Sequence, residues 1–273
     1  MSKQFETNET EFGIAVLADC IDYMGTMADK SVDLCLTDPP YGTTACKWDI
    51  VVEFRQLWSM LYHASKDSAP CIMTASEPFC AQLICSNIRH FRHEWIWDKV
   101  SGANFLNIKN QPLKTHEKVI VFSRSSRFTF NPQMVLRTPE SLKRDPIGTS
   151  RTIKSKSRSI AEHYGSLETN SEYQFRSDGK KHPISIIRHP IFEKGRYTFK
   201  HPTKKPVSLF SYMIKTFSNH GDTVFDPFAG SFTTAIACIR TGRRYICIEK
   251  ERKYFDIGVK RIEAELEQTD FLR

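Results

Sequence analysis

Thr223-Val224-Phe225-Asp226-Pro227-Phe228-Ala229-Gly230-Ser231-Phe232-Thr233-Thr234 is the stretch that decides the fold of this chain. A short β-forming run ends in Asp226, breaks at Pro227 and turns through Ala229-Gly230-Ser231. The apolar-periodic stretch that follows, Ser231 to Arg240, reads as a helix. Strand, glycine turn and helix in that order put the turn at the carboxyl end of a strand, where open α/β sheets bind ligands. Backbone can approach a ligand closely there, and the helix N-terminus offers N–H groups to a carboxylate.

Outward from that stretch, Tyr245 to Glu249 is a second strand ending in an acid, in a place suited to accepting hydrogen bonds from ribose hydroxyls. The alternative reading of Glu249 is an ordinary helix-start carboxylate before Lys250-Glu251. Lys253 to Leu266 reads as a long closing helix, and Val207 to Phe217 as a helix ahead of the decisive strand. In the first half, Val32 to Thr37 reads as a buried strand and Phe54 to Lys66 as a helix with Phe54, Leu57, Trp58, Leu61 and Tyr62 on one face. Cys71 to Thr74 is the next strand, Pro78 to Ile88 the next helix, and Glu94–Trp97 and Val119–Phe122 two more strands. Strands alternating with helices predict an α/β fold with a largely parallel sheet.

The Val32–Thr37 strand runs directly into Asp38-Pro39-Pro40-Tyr41. An exocyclic amine on a nucleobase is a weak nucleophile because its lone pair is delocalised into the ring. Acceptors around both amino hydrogens favour a more tetrahedral nitrogen and free the lone pair. Asp38 supplies one acceptor, and the peptide carbonyl of Pro39 a second, since the two prolines fix φ and withhold backbone donors. Tyr41 then stacks on the base, an interaction worth about 1–3 kcal/mol. Such a site cannot reach a base inside a duplex, so base flipping follows. The bland reading of the tetrapeptide is a turn after a strand. Cysteine chemistry fits less well: Cys71, in the Pro70-Cys71 pair, opens an apolar strand with no basic activator nearby in sequence.

The chain of 273 residues is 40% hydrophobic, 26% charged and 12% aromatic, a folded composition large enough for one domain with an insertion. Its eight cysteines form no Cys-x-x-Cys pair, so they read as reduced core residues and no metal site is expected. The first residues are polar and no apolar run approaches a membrane span, so a cytoplasmic location with no membrane association is expected. The net charge of +8 is uneven. Between Arg124 and Lys205, 18 Lys and Arg oppose 7 Asp and Glu, leaving +11 there and −3 elsewhere. Arg137 to Ser159 is polar and aperiodic. This middle reads as a polyanion-binding segment, with a solvated basic loop as the alternative.

Together these motifs resemble the beta group of DNA amino-methyltransferases, in which the catalytic motif precedes the cofactor motif. Ala18-Asp19-Cys20 and Asp33 to Gly42 are similar to the family's N-terminal signature. Trp95 to Lys99 and His116 to Phe122 are similar to its central strands, and His201-Pro202-Thr203-Lys204-Lys205-Pro206 through Arg252 is the most specific match. The resemblance implies a Rossmann-like S-adenosylmethionine methyltransferase fold with a mixed seven-stranded sheet. It implies one domain from a catalytic lobe, 1–123, and a cofactor lobe, 201–273, with an inserted target-recognition region at 124–200. Asp38, Pro39, Pro40 and Tyr41 would hold the flipped base. Asp19, His201, Thr203, Lys205, Asp226, Phe228, Ala229, Gly230, Ser231, Thr233 and Glu249 would surround S-adenosylmethionine.

The implied activity is site-specific methylation of adenine N6 in double-stranded DNA. N4 of cytosine, or a non-catalytic DNA-binding protein on the same scaffold, are the alternatives. Asp38 rather than Ser at the head of the tetrapeptide favours adenine. The resemblance leaves a homodimer and a cognate restriction enzyme open as further partners. One position departs from the family pattern: Gly230-Ser231-Phe232-Thr233 stands where Gly-Ser-Gly-Thr is usual. Phe232 either narrows the cofactor pocket or points into the core.

Overall fold

Alternating side chains along a set of short strands organise the molecule. The computed structural model describes residues 4–44, 46, 49–103, 108–154, 172–191 and 205–270. The chain forms two compact units, Met1–Asn131 with Ile184–Arg273, and Pro132–Pro183. The first begins with strands β1 (Glu6–Thr10) and β2 (Gly13–Leu17), helix α1 (Cys20–Met24), β3 (Leu34–Thr37), α2 (Phe54–Ala64), β4 (Cys71–Ala75), α3 (Phe79–Ser86), β5 (Phe91–Ala103) and β6 (Lys114–Phe122). The second unit contributes β7 (Val135–Leu136), α4 (Pro139–Arg144), β8 (Ser150–Lys154), β9 (Glu172–Arg176) and β10 (Lys180–Lys181). The chain then returns to the first unit with β11 (Ile186–Arg188), α5 (Val207–Phe217), β12 (Thr223–Asp226), α6 (Thr233–Thr241), β13 (Arg244–Glu249) and α7 (Arg252–Asp270).

The first unit carries a nine-stranded sheet in the order β1-β2-β13-β12-β3-β4-β6-β5-β11. The seven strands of the expected scaffold run from β2 to β5, and each edge gains one more. β1 is added by a hairpin with β2, and β11 by parallel pairing with β5. From β2 to β4 all neighbours are parallel, whereas β6 is antiparallel to both β4 and β5, so the sheet is mixed. The N-terminal hairpin escaped the sequence reading because β1, Glu-Thr-Asn-Glu-Thr, is an edge strand with no fully buried side chain.

Period-two alternation divides the interior into two layers. Leu34, Leu36, Ile72, Val119, Val121, Val224, Tyr245 and Cys247 face one side and pack with α5, α6 and α7. Cys35, Cys71, Met73, Ile120, Phe122, Phe225 and Ile248 face the other and pack with α1, α2 and α3. A sheet covered on both faces accounts for near-continuous apolar strands such as Leu34–Thr37, all four buried. Six of the eight cysteines are buried free thiols, Cys46 is partly exposed and Cys85 exposed. No helix among the described residues is long and apolar enough to cross a membrane.

In the second unit β7 pairs with β10 and β8 with β9, both antiparallel. Arg137 is the hub of this unit. Its guanidinium donates to Ser141 O at 2.8 Å, Ser141 Oγ at 3.0 Å, Asp145 O at 3.0 Å and Ser177 Oγ at 2.9 Å. One of the basic residues of the middle segment is therefore committed internally.

Candidate active site

A single cavity of about 430 Å³ opens at the carboxyl ends of β3, β12 and β13, entirely within the first unit. Both sequence motifs reach it. Asp38 follows β3 directly, and Asp226 ends β12, the strand beside it. The position follows from the parallel arrangement, which brings the ends of adjacent strands to one rim.

Asp38 lines the cavity with both carboxylate oxygens engaged. Oδ1 accepts from the Tyr41 hydroxyl at 2.7 Å and from Thr74 Oγ1, while Oδ2 pairs with Lys205 Nζ at 2.8 Å. Thr74 comes from β4, the next strand, so the sheet itself orients the acid. Pro39 is buried and Pro40 half-buried, and the Tyr41 ring stacks on Phe79 at 5.0 Å with 21° between planes. Burial, reinforced by Asp38 and Glu117, holds the Tyr41 phenol well above its ordinary pKa, so it stays a hydrogen-bond donor.

Lys205 also lies 3.3 Å from Glu117 Oε2, and Lys99 Nζ is 3.0 Å from Glu117 Oε1. Glu117 stands on β6 and Lys99 on β5, brought together by antiparallel pairing in which Trp97 faces Glu117 and Asp98 faces His116. Asp38, Lys205, Glu117 and Lys99 thus alternate in sign along a buried chain. Burial disfavours the charge on Lys205, but Asp38 and Glu117 outweigh it and raise its pKa. Burial likewise works against the Glu117 carboxylate, and Lys205 and Lys99 outweigh it, leaving that pKa below the ordinary value.

The loop after Tyr41 is tied down by a residue that local sequence does not reveal. Asp49 Oδ1 accepts from Gly42 N at 2.8 Å, and Oδ2 from Thr43 N at 2.9 Å and Thr44 N at 2.7 Å. Burial opposes the charged form of Asp49, yet these backbone donors keep its carboxyl below the usual range.

Asp226, which also lines the cavity, is 2% exposed. It accepts from Thr37 Oγ1 at 2.6 Å, from Phe228 N at 3.1 Å and from Thr234 Oγ1. Burial raises its carboxyl to about 6, only partly offset by those donors. Phe228, Ala229, Gly230, Ser231 and Thr233 all line the cavity. Glu249, at the end of β13, receives Gly230 N at 2.9 Å and Glu251 N at 2.7 Å, and burial lifts its carboxyl to about 7. Asp19 caps α1 by accepting from Ile21 N at 2.9 Å and lines the same cavity from the end of β2. His201 and Thr203 lie outside the described residues.

Phe232 points into the core. It is fully buried, packs edge-on against Phe255 at 5.7 Å, and does not line the cavity. The space it needs is left by Gly258 of α7, where a Cβ would come within 2.2 Å of the Phe232 ring. Its backbone holds the left-handed conformation, φ 58°, that a glycine would adopt more readily. Arg261, one turn further along α7, donates to Ser231 Oγ at 2.8 Å and to Ser231 O. Together they brace the loop from beneath.

Residues 32–260 match the N6/N4 DNA methylase family, and the chain belongs to it. It is 28% identical over 253 residues to the type II methyltransferase M1.MboII of Moraxella bovis, covering 86% of this chain and 91% of that protein. It is 26% identical over 259 residues to the DNA adenine methyltransferase YhdJ of Escherichia coli K12, covering 90% of this chain and 81% of that one. Among solved structures, the complex of M1.HpyAVI with SAM shares the fold with a TM-score of 0.57 at 20% identity, over 90% of this chain and 98% of that one.

Proposed function

We propose that this DNA methylase transfers a methyl group from S-adenosylmethionine to N6 of an adenine flipped out of double-stranded DNA at a specific site. The observation that carries the reading is one cavity lined both by Asp38 and Tyr41 and by the Asp226–Ser231 loop with Glu249. A base held by the first group and a methyl donor held by the second meet inside it.

The roles follow from the groups present. Asp38 accepts a hydrogen bond from the amine, the Pro39 carbonyl accepts the second, and Tyr41, backed by Phe79, stacks on the base. S-adenosylmethionine, when bound, supplies an electrophilic methyl group on a positively charged sulfur. The lining fits that cofactor: Glu249 and Asp19 offer carboxylates to hydroxyl or ammonium donors, Phe228 and Ile248 offer apolar surface to a ring, and Gly230 lets backbone come close. Asp226 holds the loop in shape through Thr37, Thr234 and Phe228 N.

For DNA contact, the exposed Lys143, Arg144, Lys180 and Lys181 of the second unit are suited to phosphates. Residues 132–183 carry 10 Lys and Arg against 6 acids, so much of the basic excess lies in 124–131 and 184–205. Target recognition is accordingly assigned to the second unit together with residues 124–131 and 184–200. The type II relative supports a place in restriction–modification.

Adenine is favoured by Asp38 at the head of the tetrapeptide and by the adenine methyltransferase among the relatives. The test is purified protein with methyl-labelled S-adenosylmethionine and DNA lacking methylation, followed by nucleoside chromatography. Label in N6-methyladenine is expected. Label in N4-methylcytosine overturns the base assignment, and no label overturns the enzyme.

A further inference from the structure

The charges beside Asp38 are laid out for an exchange of partners. Lys205 Nζ lies 2.8 Å from Asp38 Oδ2 and 5.4 Å from the centre of the Tyr41 ring. Those are the two contacts assigned above to the flipped base: an N–H donor on Asp38 and a place against Tyr41. The ammonium and an adenine amino group cannot hold that place together.

Glu117 offers the ammonium somewhere to go. Its Oε1 is held by Lys99 at 3.0 Å. Its Oε2 is buried, 3.3 Å from Lys205 Nζ, and receives no well-aligned hydrogen bond among the described residues. A small rotation of the lysine side chain would complete that bond and release Asp38.

We infer that Lys205 is a positioning residue of the acceptor site, standing in the place of the base's amino group and passing from Asp38 to Glu117 as the base enters. The inference rests on the amine-methylation reading. It departs from the cofactor-binding role that family resemblance implies for Lys205.

The electrostatics give the exchange a reason. Positive charge grows on the accepting nitrogen during transfer, and a carboxylate beside it stabilises that change only while its own charge is unshared. A lysine still paired with Asp38 would cancel the carboxylate and repel the nitrogen. With Lys205 on Glu117, the four groups Asp38, Glu117, Lys99 and Lys205 keep zero net charge in both states, and no buried ion is left without a partner. The pair with Asp38, whose side chain is 22% accessible, also gives that carboxylate a counter-ion before DNA arrives.

Lys205→Met and Glu117→Gln test this with two readouts from each preparation. One is S-adenosylmethionine affinity by calorimetry, and the other is the single-turnover methylation rate on unmethylated genomic DNA. Affinity within about threefold of wild type with a rate at least about 50-fold lower is expected for both variants. The double variant should fall within about threefold of the slower single one, because the two residues act as a unit. Lys205→Arg should recover about tenfold of the lost rate by keeping a cation there.

A loss of affinity above about tenfold in Lys205→Met, matching its loss of rate, would place Lys205 in the donor site and overturn the inference. So would a rate within about threefold of wild type. Unchanged cofactor affinity certifies folding, and if Lys205→Met does not fold, Lys205→Arg and Glu117→Gln carry the same readouts. A wild-type protein that places no label in N6-methyladenine fails the functional reading. An active wild type with an indifferent Lys205→Met fails this inference alone.

Discussion

Two Asp-Pro dipeptides stand at the carboxyl ends of neighbouring parallel strands, Asp38-Pro39 after β3 and Asp226-Pro227 at the end of β12. Local sequence makes them look equivalent, yet their surroundings divide them. Asp38 keeps 22% of its side chain accessible, opens onto the cavity and pairs with a cation. Asp226 also touches the cavity but is 2% exposed and held by two threonine hydroxyls and a backbone N–H, with no cation on it among the described residues. The first environment keeps a carboxylate available for exchange. The second spends it on shape, and burial without a counter-charge lifts its carboxyl to about 6. Thr37 links the two, because it precedes Asp38 in the chain and donates to Asp226. A strand end becomes a reaction site or a scaffold according to what its neighbours supply.

The sharpest way to break that contrast is to truncate each acid in turn. Asp38→Ala should lower methyl transfer by about 10³-fold or more, while DNA and cofactor binding stay within severalfold of wild type, measured by the labelled-nucleoside assay beside binding titrations. Retained activity would refute the acceptor role. Asp226→Ala orphans Thr37 Oγ1, Thr234 Oγ1 and Phe228 N, and should lower stability by about 2–3 kcal/mol. In thermal melts that corresponds to a fall of about 4–12 °C, with cofactor affinity falling alongside. A melting temperature unchanged in Asp226→Ala but lowered in Asp38→Ala would reverse the assignment.

The half of the contrast that sequence made legible is the half built from contiguous residues. Asp38 to Tyr41 and Asp226 to Ser231 are local strings with their own turn chemistry, and the strands feeding them are apolar runs. The alternation of strands and helices was readable for the same reason. What lay hidden depends on pairing across distance. Glu117 and Lys99 sit 18 residues apart and meet only through the β5–β6 register. Asp49 reaches back across a loop to the N–H groups of Gly42, Thr43 and Thr44. Arg261 lies inside the Lys253–Leu266 helix that the sequence predicts, with nothing local to show that it turns inward to Ser231. Strand β5 runs from Phe91 to Ala103, far beyond the Glu94–Trp97 run. Its polar outer residues gain their strand character from β6 rather than from their own pattern.

Packing beneath the donor loop offers a finer test of the scaffold side. Gly258→Ala places a methyl group against the Phe232 ring, in a core with no free space there, and should cost about 1–3 kcal/mol. Phe232→Leu should relieve part of that cost, so the double variant should be more stable than the sum of the singles predicts, by at least about 0.5 kcal/mol in denaturant unfolding. Additive losses would mean that Phe232 and Gly258 do not fit each other in the way the geometry describes.

The smallest expected effect concerns Glu249, which, like Asp226, is buried, lines the cavity and has no cation paired with it among the described residues. Burial lifts its carboxyl to about 7, so protonation competes with the carboxylate near neutral pH. Hydroxyl donors on a bound cofactor favour the ionised form, so binding should release a proton and tighten as pH rises through 7. Affinity for S-adenosylmethionine should therefore increase by up to about tenfold between pH 6 and pH 8 and level off above that. Glu249→Gln cannot titrate and should bind more weakly with a flat profile. If affinity instead weakened with rising pH, the protonated acid would be the binding form, and Glu249 would act as a donor to the cofactor. If wild type and Glu249→Gln shared one profile, the acid would belong with Asp226 as scaffold, holding backbone N–H groups such as those of Gly230 and Glu251.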